Sequence, residues 1–257
     1  MGSAEVRGVI RSGGWTDHTI GLAMGYVACN LVVLPRELAF DFLVFCQRNP
    51  KPLPVLEILD TGSPHPRRAA RNADIRTDLP RYRVWREGEL ADEVTDIVQY
   101  WRDDLVAFLI PGSLTWEQAL LNAGVPIRHL EEGRNAACYR TNIQCEPAGP
   151  FHGPLVVNLR PLAPEHIVRA IQVTSRFPLA HGAPVHIGDP AAIGITDVTK
   201  VDFGDPTTIK LGEVPVFWAT GVTLQAVAIA SKPSFMITHA TGCAFIADLR
   251  DEQLAVF

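Results

Sequence analysis

Apolar positions recur at helical spacing twice along the chain. Over Glu37–Arg48, Leu38, Phe42 and Phe45 fall at i, i+4 and i+7, after Pro35 and before the Asn49-Pro50 stop. Over Glu165–Phe177 the stripe is Ile167, Ala170, Ile171 and Thr174, with Pro164 at a first-turn position. Leu155–Leu159 and Val106–Ile110 are short runs too brief for helices and read as buried strands. Thr61–Pro66, Cys145–Pro150 and Phe203–Pro206 are rich in Gly and Pro and read as loops. Val214–Ser231 is uncharged and long enough for a membrane span, but Pro215, Thr220, Gly221, Thr223 and Gln225 favour strand, glycine turn and short helix. Strands alternating with helices predict an α/β fold.

Two stretches share one design. Val106–Ser113 runs into Thr115–Asn122 and on to His129; Val214–Val222 runs into Thr223–Ala230 and on to His239. Each reads strand, glycine turn, Thr-capped helix, strand, histidine, and Thr115 with Gln118 makes a capping box. Ligands of open α/β sheets sit beyond strand ends, against helix N-termini that favour anions. The pattern therefore directs Ser113, Thr220, His129 and His239 toward a site.

Composition narrows the function. The 257 residues are 47% hydrophobic, which supports a folded core, and are expected to form a single domain. A net charge of -5 argues against a nucleic-acid or anionic-membrane binder, which needs a positive stripe. The five scattered cysteines suit neither a disulfide framework nor a zinc knuckle. Met1–Arg11 lacks the apolar centre of a signal peptide. A soluble intracellular protein is expected, cytoplasmic or, in a eukaryote, mitochondrial. Its expected partner is a small-molecule substrate; a homo-oligomer is compatible with the pattern.

Two polar stretches carry candidate chemistry. Arg128–Asn142 holds Glu131 and Glu132, either of which serves as a general base if burial raises its pKa. Arg134 and Arg140 are candidate carboxylate clamps, with Asn135 and Asn142 beside them. An exposed loop of compensating charges is the competing reading. His181–Pro190 places His181, His186 and Asp189 among two glycines and two prolines, a defined turn with groups able to move protons near neutral pH. The spacing tolerates a metal ion but is not the His-x3-His helical pattern of zinc enzymes, and no cofactor is expected. No GxGxxG, GxxxxGK[ST] or GxSxG motif is present.

Long blocks in order, Asn30–Pro35, Phe45–Pro52, Asp74–Tyr82, Arg128–Asn135, Thr174–Pro178, His181–Pro190 and Gly212–Trp218, resemble the hydro-lyase family related to D-glutamate cyclase across roughly Ser3 to Glu252. The resemblance implies a mixed-sheet α/β sandwich of two interleaved subdomains. It implies carbon–oxygen lyase chemistry, exemplified by loss of water as D-glutamate closes to 5-oxo-D-proline. Against the family pattern, Gly112 and Thr220 stand where turn cysteines are expected, and Cys243 where a histidine is. Three functions follow: a D-glutamate cyclase-like enzyme, a diverged enzyme dehydrating, isomerising or cyclising a less polar metabolite, or a non-catalytic metabolite-binding protein.

Overall fold

A computed structural model describes residues 1–256. The chain forms α1 (Ser3–Arg11), β1 (Tyr26–Pro35), α2 (Arg36–Arg48), β2 (Glu57–Ile58), β3 (Tyr82–Arg86), β4 (Glu89–Val94) and β5 (Leu105–Pro111). It continues through α3 (Glu117–Asn122), α4 (Arg128–Glu131), β6 (Cys138–Gln144), β7 (Pro154–Leu162), α5 (Pro164–Ser175), β8 (His186–Ile187) and β9 (Val214–Ala219). It ends with α6 (Thr223–Ser231), β10 (Met236–His239) and β11 (Phe245–Arg250). The two helical stripes and the two short apolar runs thus form elements where the spacing predicts them, and Val214–Ser231 is strand, turn and helix. No described helix is long and apolar enough to cross a membrane.

The strands make two sheets. The larger runs β2-β5-β1-β10-β3-β4, with β11 also on β1; the smaller runs β6-β7-β9-β8. The chain builds most of the first sheet, then the second, then returns to the first with β10 and β11. The α/β class holds, but every named strand pairing is antiparallel, so the expected mixed sheets are not formed.

Strand β1 explains the long apolar runs. Val27, Cys29, Leu31 and Val33 face one core cluster, while Val32 and Leu34 face another. A strand covered on both faces does not alternate with polar residues. Behind the second face, Phe42 of α2 meets Phe108 and Phe151 edge-on at 4.9 and 5.2 Å, an arrangement aromatic quadrupoles favour.

One side of β1 is divided. β11 pairs with it around Ala28 and Cys29, and β10 around Val32 and Val33. In the interval the Leu31 N–H donates to Nδ1 of His239 at 3.4 Å, so a side chain bridges what no strand reaches. This interval opens onto the candidate site.

The repeated design survives in part. Gly112 N–H donates to Ala28 O at 2.7 Å, and Thr220 N–H donates to Val156 O at 3.1 Å. Ala28 N–H donates to Thr115 Oγ1 at 3.2 Å, and Val156 N–H to Thr223 Oγ1 at 3.0 Å. Two residues past each of those strand positions stands an asparagine, Asn30 or Asn158. The threonines therefore clamp each turn to its neighbouring strand and do not cap helices. The predicted capping box is absent: α3 starts at Glu117, and Gln118 turns to Asn122 at 2.8 Å. The first copy also departs at its end, because His129 lies in the short helix α4, not at a strand terminus.

Candidate functional site

Both sheets and both glycine turns meet at a small cleft, about 40 Å³ in volume and partly open to solvent. Its polar lining includes Asn30, Ser113, Asn135, Asn158, Thr220 and His239; Ile20, Leu114 and Val222 supply apolar wall. Close approach depends on glycine: a Cβ on Gly221 would lie 2.1 Å from Cγ of Asn30. The turns cross over. Ser113 accepts from Asn158 Nδ2 at 2.7 Å, while Gly221, one residue past Thr220, packs on Asn30.

Beneath the Asn158 side lies a buried charged group. Arg160, Glu117 and His129 are each 1% exposed. Arg160 Nη1 donates to Asn158 Oδ1 at 2.7 Å, and its Nη2 meets Glu117 Oε1 at 2.5 Å and Ser113 Oγ at 3.4 Å. His129 Nε2 lies 3.0 Å from the same Glu117 oxygen. The guanidinium sits 4.4 Å from the Trp116 ring centroid and 5.7 Å from that of Trp218, so aromatic faces replace part of its hydration. Burial opposes ionisation of Glu117, but His129 and Arg160 together outweigh it and hold the carboxyl below its ordinary range.

On the other side, Asn30 Nδ2 donates to Ile110 O at 3.0 Å. Burial lowers His239 to about 4, against a smaller opposing effect of the Leu31 hydrogen bond, so the ring is neutral at pH 7. Since Nδ1 accepts from Leu31, the neutral ring carries its proton on Nε2. Cys138 also lines the cleft, its thiol pushed up to about 12 chiefly by burial, which keeps it protonated.

Four residues singled out from sequence, Ser113, Asn135, Thr220 and His239, line this cleft; the other nine do not. His129 stands one layer beneath, through Glu117. His181 is buried elsewhere: its Nδ1 lies 2.9 Å from Lys51 O, Lys51 Nζ donates back to His181 O at 3.2 Å, and burial lowers the ring to about 4. His186 Nε2 contacts Asp189 O at 2.7 Å with its ring on Phe217, and Asp189 caps the short helix that follows. Among the described residues no group of three or more His, Cys, Asp or Glu is placed to hold a metal ion.

The charges of Arg128–Asn142 are paired partly within the stretch and partly with Glu213 and Asp202 outside it. Glu131 pairs with Arg128 at 3.0 Å. A hydrogen bond from Thr208 holds Glu132 below its ordinary range, opposite to what a raised general base requires. Arg134 donates to Pro206 O at 3.1 Å, and Arg140 pairs with Asp202 at 2.6 Å. Asn142 is exposed and packs on Gly194. Each guanidinium is thus engaged away from the cleft.

Asn30, Asn158, Glu117 and Arg160 escaped the sequence reading. The available signal was the pair Asn30-Leu31 and Asn158-Leu159, each an asparagine inside an apolar strand and followed within six residues by a proline and a helix. Arg160, a lone charge in the run Leu155–Leu162, was the second signal.

Fold and cleft define a two-sheet α/β protein with a cleft shared by both sheets. The chain belongs to the D-glutamate cyclase family, whose model matches residues 106–248, a span that includes both turns, Asn158, Arg160 and His239. It is 60% identical to a "Putative hydro-lyase" of Bacillus licheniformis over 98% of this chain and 96% of that one. It is 57% identical to "Putative hydro-lyase YcsI" of Bacillus subtilis over the whole of both, and 58% to a "Putative hydro-lyase" of Stutzerimonas stutzeri over 100% and 97%. These names agree with the carbon–oxygen lyase class that the sequence blocks imply.

Proposed function

We propose that the protein is a D-glutamate cyclase-like hydro-lyase that closes a small amino dicarboxylate to a lactam in the cleft between Asn30, Ser113, Asn158, Thr220 and His239. The family supports lyase chemistry; the observation that carries the substrate class is the polar wall backed by the buried Arg160 guanidinium. In the reaction, the substrate nitrogen forms a bond to the distal carboxyl carbon as a C–O bond breaks. D-glutamate enters as an ammonium, and the two protons that leave with the oxygen are the two that nitrogen loses. The site therefore has to move protons between neighbouring atoms and need not supply any. A cleft with few titratable groups suffices for that, provided it holds the ends close together.

His239 is the group to polarise the distal carboxyl, because its neutral ring offers a proton at Nε2. Incubating the protein with D-glutamate and following 5-oxo-D-proline by chromatography tests the reading. Product above blank, lost in His239→Gln, is expected; no product above blank overturns it. The apolar wall of Ile20, Leu114 and Val222 favours a second reading, the same scaffold acting on a less polar metabolite. Calorimetric binding without turnover would favour a metabolite-binding protein instead.

A further inference from the structure

Arg160 does not line the cleft, yet it determines what two lining side chains present there. A guanidinium has donors only. Asn158 must therefore turn its carbonyl oxygen toward Arg160, where it accepts at 2.7 Å, and its amide nitrogen the other way. That nitrogen donates to Ser113 Oγ at 2.7 Å and keeps a second N–H. Ser113 Oγ, accepting from both Asn158 and Arg160, has only its O–H left to offer. This end of the cleft is a wall of donors, the polarity an anion requires. Glu117 cancels much of the distant field of Arg160, so its influence passes through hydrogen-bond direction.

The opposite end has mixed polarity. Ile110 O takes one Asn30 N–H, leaving Oδ1 without a hydrogen-bond donor among the described residues, and His239 offers Nε2–H. An acceptor beside a donor suits an N–H beside a carbonyl. The nearest cation there, Arg83, reaches Gln225 Oε1 at 2.6 Å and Glu93 at 2.9 Å; that Gln225 oxygen also accepts from the hydroxyl of the lining Thr241 at 3.3 Å, and Gln225 Nε2 donates to the backbone carbonyl of His239, so Arg83 holds neither the Asn30 amide nor the His239 ring.

We infer that Arg160 is a positioning residue that sets the direction of the ligand, with its permanent carboxylate against Ser113 and Asn158 and its amine and reacting carbonyl against Asn30 and His239. The inference rests on the proposed reading that this cleft is the site. Two probes of the same shape test it: 5-oxo-D-proline, which keeps the carboxylate, and 5-oxo-D-prolinamide, which replaces it by a neutral amide. Calorimetry on the wild type, Ser113→Ala, Arg160→Lys and His239→Gln, each shown folded by circular dichroism, gives the affinities. The acid should bind the wild type more tightly than the amide. Ser113→Ala and Arg160→Lys should weaken the acid by about 10-fold or more while leaving the amide within about 2-fold. His239→Gln should weaken both alike, since both keep the lactam.

Equal loss of acid and amide in Ser113→Ala would indicate a merely structural role and overturn the inference. So would acid-selective loss in His239→Gln, or a wild type that binds neither probe or both equally. Should Arg160→Lys fail to fold, Ser113→Ala decides alone. If D-glutamate is not turned over but the acid-selective loss persists, the substrate reading falls and the orientation stands.

Discussion

Arg160 and Glu117 lie 2.5 Å apart with 1% of each side chain exposed, and neither faces solvent or the cleft directly. A buried pair is costly to break, because the remaining charge is stranded. Arg160→Met and Glu117→Gln should each destabilise the protein by about 3–5 kcal/mol. The double variant Arg160→Met/Glu117→Leu should lose much less than the sum. Urea unfolding of the three variants measures this; additive losses would show that the pair is not coupled.

Two buried histidines give the fold a defined acid sensitivity. Burial lowers both His181 and His239 to about 4 from an ordinary 6.5. Between those values the unfolded chain takes up protons that the folded chain refuses, so stability is full above pH 6.5 and falls as the pH drops toward 4. At about 1.4 kcal/mol per pH unit, each ring contributes on the order of 3 kcal/mol of that loss. Unfolding free energies measured from pH 7 to 4.5 should decline, and His181→Gln should show a shallower decline.

The Gly221 contact with Asn30 predicts a paired effect. Gly221→Ala puts a methyl where the Asn30 amide sits, and that amide is held by Ile110 O. Overpacking of this kind costs about 1–3 kcal/mol and should abolish ligand binding. The same substitution in an Asn30→Ala background should cost far less stability, as thermal unfolding can show.

Arg134 and Arg140 offer the contrasting case. Both are half exposed and paired at the surface, Arg140 with Asp202 and Arg134 beside Glu132. Exposed pairs contribute about 0–1 kcal/mol. Arg134→Ala and Arg140→Ala should therefore leave stability and product formation near wild type, whereas Ser113→Ala should raise the substrate concentration needed for half-maximal rate. A large loss of turnover in Arg140→Ala would restore the carboxylate-clamp role expected of the basic stretch.

Much of the architecture was legible because burial leaves a periodic record: the stripes of α2 and α5 and the apolar runs of β5 and β7 stand where spacing puts them. Strand direction left no such record, so a parallel contribution was expected and only antiparallel pairings formed. The repeat directed Ser113, Thr220 and His239 to the cleft, because glycine turns and strand ends are locally encoded. His181–Pro190 drew notice by density, yet its groups satisfy nearby backbone, His181 with Lys51 and Asp189 with Ala191. Glu117 and Arg160 were hidden for the opposite reason. Glu117 looks like an ordinary surface charge, and Arg160, though a lone charge in an apolar strand, shows no partner until tertiary packing brings residues 43 positions apart together.

The division of β1 between β10 and β11 has a consequence during synthesis. Both partners lie some 200 residues downstream, so one edge of a strongly apolar strand stays unpaired until those residues have left the ribosome. A nascent chain stalled before Met236 would expose Val27–Leu34 as a sticky edge. Shortened forms lacking β10 and β11 would accumulate as aggregates, and the cell's holdase chaperones would find their foothold there.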